Sequence, residues 1–350
     1  LFEVAGDQVL NFLFVAAYEG SSLVSGGQFG CRVEQATAAK AVLVGERRVI
    51  GVGVEDREDA VAGVLSLLLY AAFHLWHGLA MKSFDDDMPG NVAAFEQTVR
   101  STIALAETFG AAEWDLPTDC PGWSVRDQVA HIIGIERMLL GDPEPEHTLP
   151  AELPHVRNDF GRMLEVAVDA RRRQPGEMAL AELRETLKRR LGALATTDPE
   201  QRIQAPDGRM GPYSRMMMFR AFDCWVHEQD IRRAVGRPGN LDAPAAERAR
   251  QILVSGFPFV VAKRAGAEPG CSVMLEVTGP LSFRTGVAVD EGGRGRPAES
   301  LPDPTVTLTM GWESYVRLAA GRCGPADVQT SIDGDRDLAE RILGTMSMTP

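Results

Sequence analysis

The chain has 350 residues, of which 45% are hydrophobic and 24% charged, and a formal net charge of −13. This composition excludes a disordered chain and suits a globular protein of two domains plus an extra segment. The acidic balance argues against nucleic acid or an anionic membrane surface as the main partner, since both would repel it.

Residues 1–80 contain no Met, whereas thirteen occur from Met81 onward. Three readings stand for this segment. Met81 is the natural start and 1–80 an upstream extension, which is the preferred reading. Alternatively, 60–80, free of Asp, Glu, Lys and Arg, is an apolar run long enough to span a bilayer. It is otherwise a hydrophobic hairpin or buried helix. The segment is therefore left unassigned, and a membrane is a partner only if 60–80 acts as a span. The first residues lack the basic start of a secretory signal.

Beyond it, Val92, Phe95, Val99, Ile103 and Ala106 recur at three- to four-residue spacing and predict a helix from 92 to about 109. A turn-rich loop, Trp114 to Trp123, follows. Ser124 and Asp127 then form a capping-box pattern that opens a helix carrying His131 and ending at Gly141. Further helices are predicted over 157–173, over 178–194 with Leu180, Leu183, Leu187 and Leu191 on one stripe, and over 212–235 before Gly236. Arg171, Arg172 and Arg173 sit among acidic neighbours and read as a solvated face. Long helices joined by loops predict an antiparallel bundle over 85–242. A linking helix and loop occupy 243–270. The alternating runs 272–278, 281–289 and 305–310, with 328–332, predict strands mixed with helices at 312–321 and 337–346. The expected fold is thus mainly α, a four-helix bundle followed by a small α+β domain over 271–350.

The stretch from Arg220 to Ile231 carries the chemistry. Asp223 and His227 are four apart in a segment free of Gly and Pro, so a helix puts them on one face with Cβ atoms roughly 5–6 Å apart. With His131 from another helix they make three metal ligands, the number that leaves zinc one open position. The bland alternative is an ordinary i,i+4 pair and a core histidine. The apolar neighbours Phe219, Phe222, Trp225, Val226 and Ile231 weigh against it, because a lone buried carboxylate is costly. Asp230 either orients His227 through its free ring nitrogen or pairs with Arg232 or Arg233. Arg220 either braces Asp223, meets an anionic substrate, or forms a surface ion pair. Asp127 is explained as a cap and Cys224 as a small buried hydrophobe. The five cysteines include no C-x-x-C pair, so a reducing cytoplasm is the expected location. No dinucleotide, P-loop, nucleophile-elbow or H-E-x-x-H motif is present; Ile231 follows where the last would need a second His.

Trp114-x-x-Pro117, Gly122-Trp123-Ser-Val-Arg-Asp-Gln-Val-x-His131, Asp223-x-x-x-His227-x-x-Asp230 and Gly236-Arg-Pro together resemble the actinobacterial mycothiol-dependent maleylpyruvate isomerase family. Leu318-Ala-Ala-Gly321-Arg322 and Gly334-Asp335 resemble that family's C-terminal domain, and the likeness covers about 85–350. It implies a bundle similar to the DinB and YfiT-like metalloenzymes and a C-terminal unit similar to sterol-carrier folds. It further implies a divalent metal, expected to be zinc, on His131, Asp223 and His227, mycothiol as thiol cofactor, and a small electrophilic substrate. Arg220 and Asp230 are the remaining candidate catalytic residues, and Arg284, Arg317 and Arg322 the candidates to reach a substrate carboxylate. The family's acid resembles Glu where this chain has Asp223. A metal-dependent hydrolase and a non-enzymatic metal or thiol sensor are the alternative functions.

Overall fold

A computed structural model describes residues 13–18, 39–45, 48–54 and 84–349. The chain forms two compact units, 1–82 and 83–350. In the first, β1 (Leu13–Tyr18), β2 (Ala39–Gly45) and β3 (Arg48–Val54) make an antiparallel sheet in that order, with Leu13 opposite Val44 and Gly45 opposite Arg48. The sequence reading assigned no structure there, and the apolar run 60–80 lies outside the described residues. Among the described residues no helix is long and apolar enough to cross a membrane.

The second unit begins with α1 (Met88–Ala106), which starts four residues before the periodic stretch because the Asp87 side chain accepts a hydrogen bond from the Gly90 N–H and Pro89 suits the first turn. In α2 (Val125–Leu139) the Ser124–Asp127 capping box is formed in both directions. Gly141 follows it with φ +77°, a left-handed conformation that ends the helix cheaply only with glycine. Asn158 caps α3 (Asp159–Asp169), and α4 (Gly176–Leu194) buries Leu180, Leu183 and Leu187 as the stripe predicted. A two-stranded ribbon, β4 (Arg202–Gln204) and β5 (Met210–Pro212), then leads into α5 (Tyr213–Ala234). α1 packs on α5, and α2 packs on α3, α4 and α5. Phe95, Val99, Ile132, Ile133, Leu183, Met217 and Trp225 fill the core between them.

Helix α6 (Pro244–Phe259) runs into a π-turn, Val260–Arg264, and packs against α5 and α1. After it come β6 (Ser272–Thr278), β7 (Phe283–Val289), β8 (Gly295–Ala298), β9 (Val306–Gly311), α7 (Trp312–Ala319), β10 (Thr330–Gly334) and α8 (Arg336–Gly344). The sheet order is β10-β9-β6-β7-β8, with β6 and β9 parallel and the other pairs antiparallel. β8 was not predicted: it is short, contains Pro297 and forms an edge, where a missing N–H is tolerated. Trp312 joins the sheet region to the bundle. Its indole stacks on Trp225 at 5.8 Å and donates to the Leu241 carbonyl at 2.9 Å.

Candidate metal centre

The three side chains grouped from sequence meet in space. Ligand atoms of His131 on α2 and of Asp223 and His227 on α5 all lie within 4.8 Å of one another. His131 Nε2 is 3.2 Å from Asp223 Oδ2, and His227 Nε2 is 3.4 Å from Asp223 Oδ1. Both histidines are buried, while the Asp223 side chain is 31% exposed, so the group opens to solvent on the carboxylate side. The Trp123 ring packs against both imidazoles, 5.0 Å from His131 and 5.8 Å from His227, and its Nε1 donates to Glu165 at 2.9 Å. Gly122 precedes it with φ +77°, and a Cβ there would come within 2.5 Å of the His155 ring, so the loop closes over the site only with glycine at this position.

The hydrogen-bond pattern fixes which group pairs with His227 Nδ1. The Thr118 hydroxyl donates to the Trp123 carbonyl at 2.8 Å, so toward Gln128 it acts as acceptor, taking the amide N–H at 2.7 Å. That orients the Gln128 carbonyl oxygen toward His227 Nδ1, which must donate to it. His227 Nε2 then faces a carboxylate oxygen of Asp223 at 3.4 Å. An imidazole nitrogen facing a carboxylate oxygen, with a second imidazole beside them, supplies the donor types from which a divalent metal site is built.

The charges agree with this reading. Burial above all pushes the His131 imidazole down to about 4, so it is neutral at physiological pH. Burial alone would raise the Asp223 carboxyl, but Arg220 foremost, then His227 and His131, outweigh it and hold the group well below the usual carboxylate range. Arg220 Nη1 bonds Asp223 Oδ2 at 2.6 Å while its Nε bonds Glu136 at 2.7 Å. Glu136 in turn takes Arg190 at 2.7 Å, and Arg190 reaches the Tyr213 hydroxyl at 2.6 Å. This buried chain anchors Asp223 to three helices. Of the roles open to Arg220, the geometry is that of a brace.

Of the two roles open to Asp230, it takes the pairing with Arg233 rather than the bond to His227. Its carboxylate stands 3.7 Å from Nδ1 because Arg233 and Arg322 hold its two oxygens, the latter at 2.9 Å, and Gln128 makes the bond instead. Among the C-terminal arginines, Arg322 is the one joined to the site, through Asp230. Arg317 lies 3.3 Å from Asp119, and Arg284 pairs with Glu276 at the surface. Asp127 serves its cap and binds Arg172, and Glu228 belongs to a separate buried network with Thr98, Ser101 and Asn240. Cys224 is fully buried, as expected. Sequence reasoning missed Gln128 and Glu136. Gln128, three residues before His131, shares its face of α2, whereas Glu136, five residues after it, is turned about 140° away; for both, a polar residue on a buried side of the helix is the signal that would have found it.

The donor set of two neutral-capable imidazoles and one ionised carboxylate suits a divalent ion such as zinc. Residues 95–232 match the family model described as the mycothiol maleylpyruvate isomerase N-terminal domain, and residues 254–341 match the MDMPI C-terminal domain. Two uncharacterised proteins of Mycobacterium tuberculosis, from strains CDC 1551 / Oshkosh and H37Rv, are each 28% identical over 191 residues, covering 51% of this chain and 68% of the relative. Among solved structures the chain is similar to the mycothiol-dependent maleylpyruvate isomerase and to a single-residue mutant of it, at 17% identity and a TM-score of 0.46, over 70% of this chain and 92% of the other. The two family models together span well over half of the sequence, and the chain accordingly belongs to the mycothiol maleylpyruvate isomerase domain family.

Proposed function

We propose that the chain is a divalent-metal-dependent enzyme, with zinc the expected ion, that uses mycothiol to act on a small electrophilic substrate as an isomerase or S-transferase. The observation that carries this reading is the convergence of His131, Asp223 and His227, whose ligand atoms all lie within 4.8 Å of one another. A divalent ion held by three protein ligands leaves one position for an external ligand and stabilises a thiolate there. His131 and His227 would hold it as neutral donors. Asp223 contributes one negative charge, and Arg220 keeps that carboxylate ionised and in position. Asp230 ties Arg322 of the sheet region to the rear of His227.

The chain's own thiols favour an external nucleophile. Burial pushes Cys120 up to about 11, and Cys224 is raised well above the ordinary thiol range for the same reason. Neither ionises appreciably near neutral pH. The thiol cofactor would supply the nucleophile that converts a cis double bond to a single bond free to rotate. Cys120, Cys224, Cys271 and Cys323 are all free, which fits a reducing cytoplasm.

The test is turnover of maleylpyruvate and a panel of cis-ene acids by the zinc-loaded full chain, with and without mycothiol. The reading expects activity that needs both zinc and thiol and is lost in His131→Ala and His227→Ala. Thiol-independent turnover would favour the hydrolase reading. Stoichiometric zinc without turnover on any substrate would favour the sensor.

A further inference from the structure

A groove of about 960 Å³ starts at His131 and runs along α2, bounded by α3, the start of α4 and residues 142–147. His131, Gly134, Ile135 and Met138 recur at helical spacing, so one face of α2 forms its wall. The opposite side presents Met163, Leu164 and Met178. Met138, Met163 and Met178 are 50%, 41% and 57% exposed, and they are half of the large apolar side chains classed as exposed among the described residues. Gathering them in one concave place marks it as a binding surface. Methionine also adapts to ligands of varied shape.

The charges along the groove are already paired. Arg171 holds Glu182 through two nitrogens, at 3.0 and 2.8 Å, and Arg137 holds Glu182 at 2.7 Å and Asp142 at 2.8 Å. His147 is 2.6 Å from Asp169. The other charged lining groups are the carboxylates of Glu144 and Glu146. Beyond the candidate metal ligands at its His131 end, a compact dianion would meet no uncommitted side-chain cation along the groove and two like charges. An apolar body would replace water over methionine and leucine.

We propose that this groove binds the apolar body of the substrate, a small molecule with an aliphatic or aryl group, its reactive end directed toward His131. The assignment of the reactive end rests on the proposed function; binding of the apolar body does not. The volume is that of sites that enclose drug-sized ligands, and a short dicarboxylate would leave most of it unfilled.

The experiment titrates the full chain with the neutral fluorophore N-phenyl-1-naphthylamine, then displaces it with 2-alkanones of four to ten carbons and with maleate. Saturable binding of one probe per chain is expected. Displacement should strengthen about fourfold per added methylene, while maleate fails to compete. Combining Met163→Gln with Met178→Asp, at an exposed site in the first turn of α4 where an acidic residue suits the helix, should weaken probe binding tenfold or more. Met178→Leu should hold it within twofold. Absence of saturable binding, indifference to the double variant, or maleate competing as well as 2-decanone would each overturn the proposal. Zinc content measured on the same samples separates the two claims. A zinc-free chain that passes the probe tests keeps the groove and loses the metal reading; a zinc-loaded chain that fails them does the reverse.

Discussion

Replacing Gln128 by leucine should weaken metal binding without unfolding the chain. Gln128 is fully buried, accepts the His227 Nδ1–H and donates to Thr118 at 2.7 Å, and leucine of similar size removes both bonds. The nearest alternative acceptor for Nδ1, Asp230, is 3.7 Å away with its oxygens held by Arg233 and Arg322. A buried donor left unsatisfied costs about 1–3 kcal/mol. The imidazole would then lose the bond that keeps its Nε2 toward Asp223. Loss of such an orienting partner typically weakens a site about 10–100-fold, or about 1.4–2.8 kcal/mol. Gln128→Glu retains an acceptor at the same place and should bind within about threefold of wild type, or more tightly. Zinc competition against a chromophoric chelator reads the affinity, and thermal melting of the metal-free proteins reads folding. A folded Gln128→Leu protein with wild-type zinc affinity would refute the reasoning, as would equal losses in both variants.

Arg220→Met would strip the guanidinium from buried Glu136 and from Asp223, and should cost about 3–5 kcal/mol in urea denaturation; a loss below about 1 kcal/mol would mean that the chain of pairs does not anchor the site. Trp312→Ala removes a buried indole stacked on Trp225 and bonded to Leu241, and should cost about 3–5 kcal/mol while leaving zinc affinity within twofold. Because burial favours the neutral thiol, Cys120 should resist iodoacetamide in the folded chain at pH 8, with labelling rising only as pH approaches about 11; peptide mapping that finds it among the fastest-labelled cysteines at pH 8 would contradict this.

The local features were legible because they obey short-range rules. Ser124 and Asp127 announce α2, Gly141 and Gly236 end helices, and the four-residue spacing of Asp223 and His227 puts both on one face. His131, 92 positions from Asp223, could be joined to them from sequence by ligand type and by the family likeness, not by any local spacing. What escaped depends on tertiary contacts. Gln128 lies 99 positions from His227, so no local spacing joins the two. Local spacing left Asp230 open to His227 or to Arg233; it pairs with Arg233, and its second oxygen goes to Arg322, 92 positions away, which no local rule could show. β4 and β5 have three residues each, too few for a two-residue alternation to register.

The central claim is that His131, Asp223 and His227 bind one divalent ion together. The most direct measurement is zinc stoichiometry by elemental analysis of the purified full chain after zinc loading and desalting, beside His131→Ala, Asp223→Ala and His227→Ala. The account predicts close to one zinc per wild-type chain and a loss in each variant that remains folded. A wild-type chain without zinc, or three folded variants that keep it, would contradict the account.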